Sequence, residues 1–128
     1  GSLHWLMPCL QDLYEHASAE IRQVFVIDDG SSDRELELLK AELSKYKNLV
    51  LAHNESSPGF ASACNAGIAL SEANYILFLN SDCLLTPGAL TAMLRAAKTD
   101  EFVGLVSPMS NNSANLSLEL DFGFSHID

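Results

Sequence analysis

The sequence predicts an α/β domain in which a mainly parallel sheet is flanked by helices. Three observations lead there. Apolar runs suited to buried strands occur at residues 23–28, 48–53, 75–80 and 102–107, with centres recurring at roughly 26-residue intervals. Between successive runs the apolar residues change to three- and four-residue spacing, the mark of an amphipathic helix. Two of the runs end in acids, Asp28-Asp29 and Asp82, and open α/β sheets bind ligands just beyond the carboxyl ends of their strands.

Taken in order, residues 3–17 carry Leu3, Leu6, Met7, Leu10, Leu13, Tyr14 and Ala17 on one helical face. Pro8 is compatible with that helix if the regular part begins near it. Residues 23–28 form the first strand, and Gly30-Ser31-Ser32-Asp33 is turn chemistry. Ser32 with Glu35 three positions on makes a capping box, opening a helix over residues 33–46 with Leu36, Leu39, Leu43 and Tyr46 inward. Residues 48–53 are the second strand. Ser57-Pro58-Gly59 opens a helix reaching about Ala73, with Phe60, Cys64 and Ile68 on one side. Ala61, Ala63, Ala66, Gly67 and Ala69 allow that helix to approach a sheet closely, which gives Gly67 a reason to be there. Tyr75-Ile76-Leu77-Phe78-Leu79-Asn80 is expected as a third strand buried on both faces. Thr86 and Pro87 suit the start of a helix over 87–98, with Leu90, Met93, Leu94 and Ala97 inward. Phe102–Ser107 is expected as a fourth strand, and Leu116, Leu118 and Leu120 fit a short exposed one.

Composition narrows the function classes. The chain has 128 residues, enough for one domain, and is 48% hydrophobic and 19% charged. Seventeen acids against 7 Lys plus Arg give a formal charge of -10, which argues against a nucleic-acid or anionic-membrane surface. Phosphate ligands remain open, because backbone amides and a metal can supply a positive field. Cys9, Cys64 and Cys83 follow no framework spacing, so free thiols and a reducing, cytoplasmic setting are expected. No CxxC occurs, and His4, His16, His53 and His126 are scattered, which disfavours zinc. In that setting the glycosylation triplets at Asn54, Asn111 and Asn115 carry no meaning. No apolar run is long enough to span a membrane and no signal peptide is visible. Gly1-Ser2 reads as a cloning remnant, leaving residues 3–128 as the domain.

The strand-end groups carry the candidate chemistry. Asp28-Asp29-Gly30-Ser31 can cap a helix or solvate a loop. Equally, a carboxylate there can accept hydrogen bonds from a base N–H or a ribose hydroxyl, with Gly30 letting the backbone come close. In Asn80-Ser81-Asp82, alternate residues of an extended tip point the same way, so the Asn80 amide oxygen and the Asp82 carboxylate can share one hard cation, Mg2+ or Mn2+. Asn65 is an isolated polar residue on a helix of small residues, either a solvated amide or a ligand contact. Cys83 beside Asp82 reads as a small filler rather than a nucleophile.

In this order, Val26-Ile27-Asp28-Asp29-Gly30-Ser31-Ser32-Asp33, Pro58-Gly59-Phe60-Ala61-Ser62-Ala63-Cys64-Asn65-Ala66-Gly67, Tyr75-Ile76-Leu77-Phe78-Leu79-Asn80-Ser81-Asp82 and Pro87-Gly88-Ala89-Leu90 resemble the family 2 glycosyltransferases. These are inverting, nucleotide-sugar-dependent enzymes of the GT-A (Rossmann-like) fold. Cys9-Leu10-Gln11-Asp12-Leu13 also looks like the family's first helix, and the resemblance covers about residues 5–113. It implies a domain that binds a nucleotide-diphosphate sugar for transfer to an acceptor hydroxyl. Asp29 would accept from the donor's base, with Asp28 supporting the loop. Asp82 would be the metal-binding acid of a DxD-like motif, with Asn80 at its first position. Asn65 and Gly67 match an asparagine-glycine helix motif beside the nucleotide. The implied nucleotide-binding set is Asp28, Asp29, Gly30, Asn65, Gly67 and Ser81, and the implied metal ligands are Asp82 and Asn80 with Mn2+ or Mg2+.

Two departures from the family pattern set further expectations. The family begins with a strand and a Pro-x-Tyr-Asn-like loop that line the nucleotide, whereas this chain starts directly in the helix that follows. The family's catalytic base falls beyond the equivalent of residue 128, and Asp121 and Asp128 stand in the wrong context for it. The expectation is therefore a donor-binding half, truncated before the first strand and inactive alone. Its open sheet slot invites self-association. Two other readings stand beside this one. A non-catalytic or degenerate nucleotide-sugar-binding domain is consistent with Asn80 in place of an acid. A receiver-type phosphoacceptor domain would need a Lys after Ser107, and none is near.

Overall fold

A computed structural model describes residues 3–54 and 59–110. The chain divides into two compact units, Gly1–Pro87 and Gly88–Asp128. In the first lie α1 (Leu3–Ala17), β1 (Val24–Asp28), α2 (Asp33–Leu43), β2 (Leu49–His53) and α3 (Phe60–Leu70); in the second lies α4 (Ala89–Ala97). The class is α/β, and β1 and β2 pair in parallel as expected, with α2 as the crossover.

Helix α1 buries Leu6, Cys9, Leu10, Leu13 and Ala17, the stripe expected from the spacing. It starts at Leu3 with Pro8 inside, earlier than expected. Proline there removes one bond, to the carbonyl four residues back, and His4 at that position is exposed, where water can replace the lost donor. Tyr14 stacks on Tyr46 with ring centroids 4.7 Å apart, and its hydroxyl donates to Asn48 Oδ1 at 2.7 Å. These two contacts tie α1 to the turn between α2 and β2.

Helix α2 opens with the expected capping box: the Ser32 N–H donates to Glu35 Oε2 at 3.0 Å, and the Glu35 N–H donates to Ser32 Oγ. It ends at Leu43, three residues sooner than predicted, because Ser44 caps it and the Tyr46 N–H turns back to the Leu43 carbonyl. Leu39 and Leu43 are buried, while Leu36 and Tyr46 are half-buried. Helix α2 packs on β2 and α3 packs on β1.

Against β1, α3 uses its small residues. A Cβ added to Gly67 would lie 3.7 Å from Ile27 Cγ1. That is ordinary contact, so glycine is not demanded by crowding, contrary to the expectation for Gly67. Nor does the expected apolar side of α3 face inward: Phe60 and Ile68 are exposed, and only Cys64 is half-buried. The helix covers Phe60–Leu70, and the Ser57-Pro58 opening lies outside the described residues.

The third strand is the main correction. Tyr75–Asn80 forms no strand, and Tyr75, Ile76, Leu77 and Phe78 are 48%, 42%, 39% and 47% exposed rather than buried. An apolar run reports that a segment can be buried; it becomes a strand only where a neighbour offers a hydrogen-bonding edge. Among the described residues the sheet consists of β1 and β2.

In the second unit, α4 follows Gly88, whose φ of 79° is left-handed, so Gly88 rather than Thr86 occupies the capping position. Leu90, Met93, Leu94 and Ala97 are half-buried and mark its inner stripe, as the spacing predicts. Phe102–Ser107 forms no strand, and Phe102 and Leu105 are exposed. The expected strand around Leu116–Leu120, the acids Asp121 and Asp128, and the Asn111 and Asn115 triplets lie outside the described residues.

Candidate functional site

The carboxyl ends of β1 and β2 meet because their register places Asp28 opposite His53. Asp28 is 7% exposed. Its Oδ2 lies 2.6 Å from His53 Nδ1 and accepts from the Ser31 N–H at 3.3 Å. Burial by itself pushes the Asp28 carboxyl up, but the hydrogen bonds from Ser31 and His53 outweigh it and hold the group below its ordinary value. The Ser31 bond requires a sharp turn directly after Asp29, and Gly30 makes it with φ of 106°, where a side chain would be strained.

Asp29 is exposed and faces α3. Its Oδ1 accepts from Asn54 Nδ2 at 2.8 Å, and its Oδ2 accepts from the Gly59 N–H at the start of α3. A carboxylate there is favoured by the partial positive charge of the helix N-terminus. Asn54 is itself held, its N–H donating to the Asp28 carbonyl at 2.8 Å and its Nδ2 lying 3.0 Å from Ser62 Oγ. The two acids therefore differ: Asp28 is an internal strut, and Asp29 is the accessible member. A carboxylate has about four lone-pair positions, so Asp29 retains acceptor capacity toward a ligand.

Of the remaining expected nucleotide contacts, Asn65 is exposed on α3. Gly67, two residues on, faces Ile27 of β1. A two-residue step turns a helix by about 200°, so the two members of the motif occupy different sides of α3.

The Asn80-Ser81-Asp82 tip is exposed throughout. A turn closes it, the Cys83 N–H donating to the Asn80 carbonyl at 3.2 Å. Cys9 Sγ donates to the same carbonyl at 3.6 Å, and the Leu85 N–H donates to Asp12 Oδ2 at 2.6 Å. Asp12 Oδ1 lies 3.1 Å from His16 Nδ1. Asp82 Oδ1 lies 3.9 Å from Cys83 Sγ. Burial pushes the Cys9 thiol up to about 11, with the charges of Cys83 and Asp12 adding to it. Burial and then Asp82 raise Cys83. Both thiols are protonated near neutral pH and lack the thiolate a nucleophile needs. Cys9, Cys64 and Cys83 are free.

The donor chemistry of the tip fits a hard cation, since Asp82 offers one exposed carboxylate and Asn80 an amide oxygen. Among the described residues no group of three or more His, Cys, Asp or Glu side chains converges as a metal cage. Asp82 and Asn80 would thus hold part of a coordination shell, with ligand phosphates supplying the rest.

His53 and Asn54 are the residues that sequence reasoning missed. A solitary histidine gives no motif. Aligning the two expected strands end to end would have set His53 beside Asp28. Among the described residues no helix is long and apolar enough to cross a membrane.

Residues 2–119 match the family described as Glycosyl transferase family 2. The chain is 29% identical over 89 residues to an uncharacterized glycosyltransferase of Haemophilus influenzae, covering 70% of this chain and 34% of that protein. It is 28% identical over 78 residues to the glycosyltransferase GlyG of Streptococcus pneumoniae, covering 61% and 26%. It is 26% identical over 99 residues to a poly-beta-1,6-N-acetyl-D-glucosamine synthase of Staphylococcus aureus, covering 76% and 24%. The chain thus spans between a quarter and a third of the length of these relatives. No solved structure matches it.

Proposed function

The chain belongs to glycosyl transferase family 2, and on that footing we propose that it binds the nucleotide-diphosphate sugar donor of an inverting sugar transfer. The observation that carries this reading is the gathering of Asp28, Asp29, His53 and Asn54 at the carboxyl edge of a parallel strand pair, with the N-terminus of α3 beside them. Asp29, held at the front of that edge, accepts a hydrogen bond from the donor's base. Asp28 holds the Gly30 turn over which the nucleoside lies. Asn65 and Ser81 complete the nucleotide set, whereas Gly67 faces Ile27 and serves the packing of α3 on β1. Asp82 and Asn80 hold Mn2+ or Mg2+ together with the diphosphate. A divalent cation there supplies Lewis-acid neutralisation of the diphosphate leaving group.

Transfer with inversion requires an acceptor hydroxyl to attack the anomeric carbon opposite the diphosphate while a base takes its proton. Among the described residues we assign that base to none. The carboxylates described at the site are already engaged in holding the loops or stand on the donor side. The 128 residues alone therefore bind donor without transferring sugar, and measurable transfer by them would contradict this assignment. Three free thiols support a reducing, cytoplasmic setting. The exposed Tyr75–Phe78 run supports self-association, which sedimentation at high concentration would test. A non-catalytic donor-binding domain is the second reading, favoured by Asn80 standing where a second acid would strengthen the metal site.

The test is the thermal midpoint with UDP, GDP, dTDP and CDP, each with and without Mn2+. A nucleotide at a hundred times its dissociation constant stabilises the folded state by about 2.7 kcal/mol. A Mn2+-dependent rise with one nucleotide, absent in Asp82→Ala, is expected. No rise with any of the four would count against the reading.

A further inference from the structure

We propose that Asp12 of α1 is a positioning residue for the loop that carries Asp82, so that α1 sets the geometry of the candidate metal site. The inference rests on the donor-site reading above and deepens it. Cys9 and Asp12 are three residues apart and so lie on one face of α1. They grip the loop on either side of Asp82: Cys9 Sγ donates to the Asn80 carbonyl at 3.6 Å, and Asp12 Oδ2 accepts from the Leu85 N–H at 2.6 Å.

The two anchors differ in strength. A thiol is a weak donor and its contact is long, whereas a short bond from a backbone N–H to a carboxylate is of the strong, charge-assisted kind. Asp12 is also fixed on its other oxygen, His16 Nδ1 lying 3.1 Å from Oδ1 one helical turn on. The carboxylate is therefore held by its own helix at one oxygen and holds the loop with the other. Asn80, Ser81 and Asp82 are exposed, so little packing fixes the tip from outside. A cation shared between one carboxylate, one amide oxygen and a diphosphate depends on these oxygens being held at fixed separation, because Mg2+ in particular demands near-ideal geometry. Among the described residues the hydrogen bonds of Asp12 go to His16 and the Leu85 N–H, so its effect on the cation ligands passes through the backbone of the loop.

The test uses the 128-residue chain, with Asp12→Ala and Asp12→Asn, in two measurements. Hydrogen exchange reads the Leu85 amide without any ligand. Calorimetry reads nucleoside-diphosphate affinity with and without Mn2+. In the wild type the Leu85 amide is expected to be protected. In Asp12→Ala its exchange quickens by on the order of tenfold, and the Mn2+-dependent gain in affinity falls by a similar factor while affinity without metal is unchanged. Asp12→Asn keeps an acceptor oxygen and recovers most of both. Equal Mn2+-dependent gains in wild type and Asp12→Ala would overturn the role of Asp12 alone. An unprotected Leu85 amide in the wild type would also overturn it, independently of whether Asp12→Ala folds. No Mn2+-dependent gain in the wild type with any nucleotide would instead overturn the donor-site reading, and the proposal with it.

Discussion

Replacing Asp28 with Asn separates charge from shape at the centre of the candidate site. The side chain keeps its size and one acceptor oxygen but loses the carboxylate that lies 2.6 Å from His53 Nδ1 and 3.3 Å from the Ser31 N–H. The Ser31 bond is the longer of the two and holds the Gly30 turn. The His53 contact is short, and at 7% exposure Asp28 has little water to turn to. A hydrogen bond to a charged group contributes about 1.5–3 kcal/mol, so Asp28→Asn should lose about that much near neutral pH. For a chain of this size the midpoint then falls by roughly 5–10 °C. The pH dependence is the sharper part. Hydrogen bonds hold the folded-state value of Asp28 below 3.8. The stabilisation is therefore complete above 3.8 and is lost as pH falls through the lower folded-state value. Asn does not titrate, so the two proteins should converge in acid. Urea unfolding followed by circular dichroism across that range measures the difference. Equal stabilities near neutral pH, or a gap that persists unchanged in acid, would refute the strut role of Asp28.

Three other substitutions follow from the packing. Gly67→Ala places its methyl in ordinary contact with Ile27, 3.7 Å away, and should stabilise the chain by roughly 0.5–1 kcal/mol through helix propensity, read as a higher urea midpoint. Leu10→Ala empties a position only 3% exposed in α1 and should cost about 2–5 kcal/mol by the same assay. Ser32→Ala removes the capping box of α2 and should cost about 1 kcal/mol, with faster amide exchange confined to the first turn of that helix.

What could be read from the residues was whatever depends on neighbours in the chain. The capping box at Ser32 and Glu35, the stripe on α1 and the Gly30 turn are local, and each stands where its chemistry places it. Long-range pairing was less legible. Tyr75–Leu79 has the composition of a buried strand, yet composition does not name a partner strand, and among the described residues no strand lies in the sheet beyond β1 and β2. The side chosen by α3 went unread for a related reason. Apolar bulk pointed to Phe60 and Ile68, whereas closeness to β1 is served by the small side at Gly67. In the site, Asp28 and Asp29 are alike as letters, and only the register of β1 on β2 separates them, turning one toward His53 and the other toward Asn54 and α3. The Asn80–Asp82 tip was legible as chemistry. Its anchorage to Cys9 and Asp12, about seventy residues away in sequence, was not, because that contact depends on where α1 lies in the fold.

The most direct measurement is an amide chemical-shift titration of the labelled chain with a nucleoside diphosphate and Mg2+. If the strand-end acids hold the donor, shifts will concentrate at Asp28–Ser31, at Asn65 and at Asn80–Cys83, and those at Asn80–Cys83 will disappear when Mg2+ is left out. Shifts that fall elsewhere, or a chain that does not respond to any of the four nucleotides, would contradict the placement of a donor site at this edge.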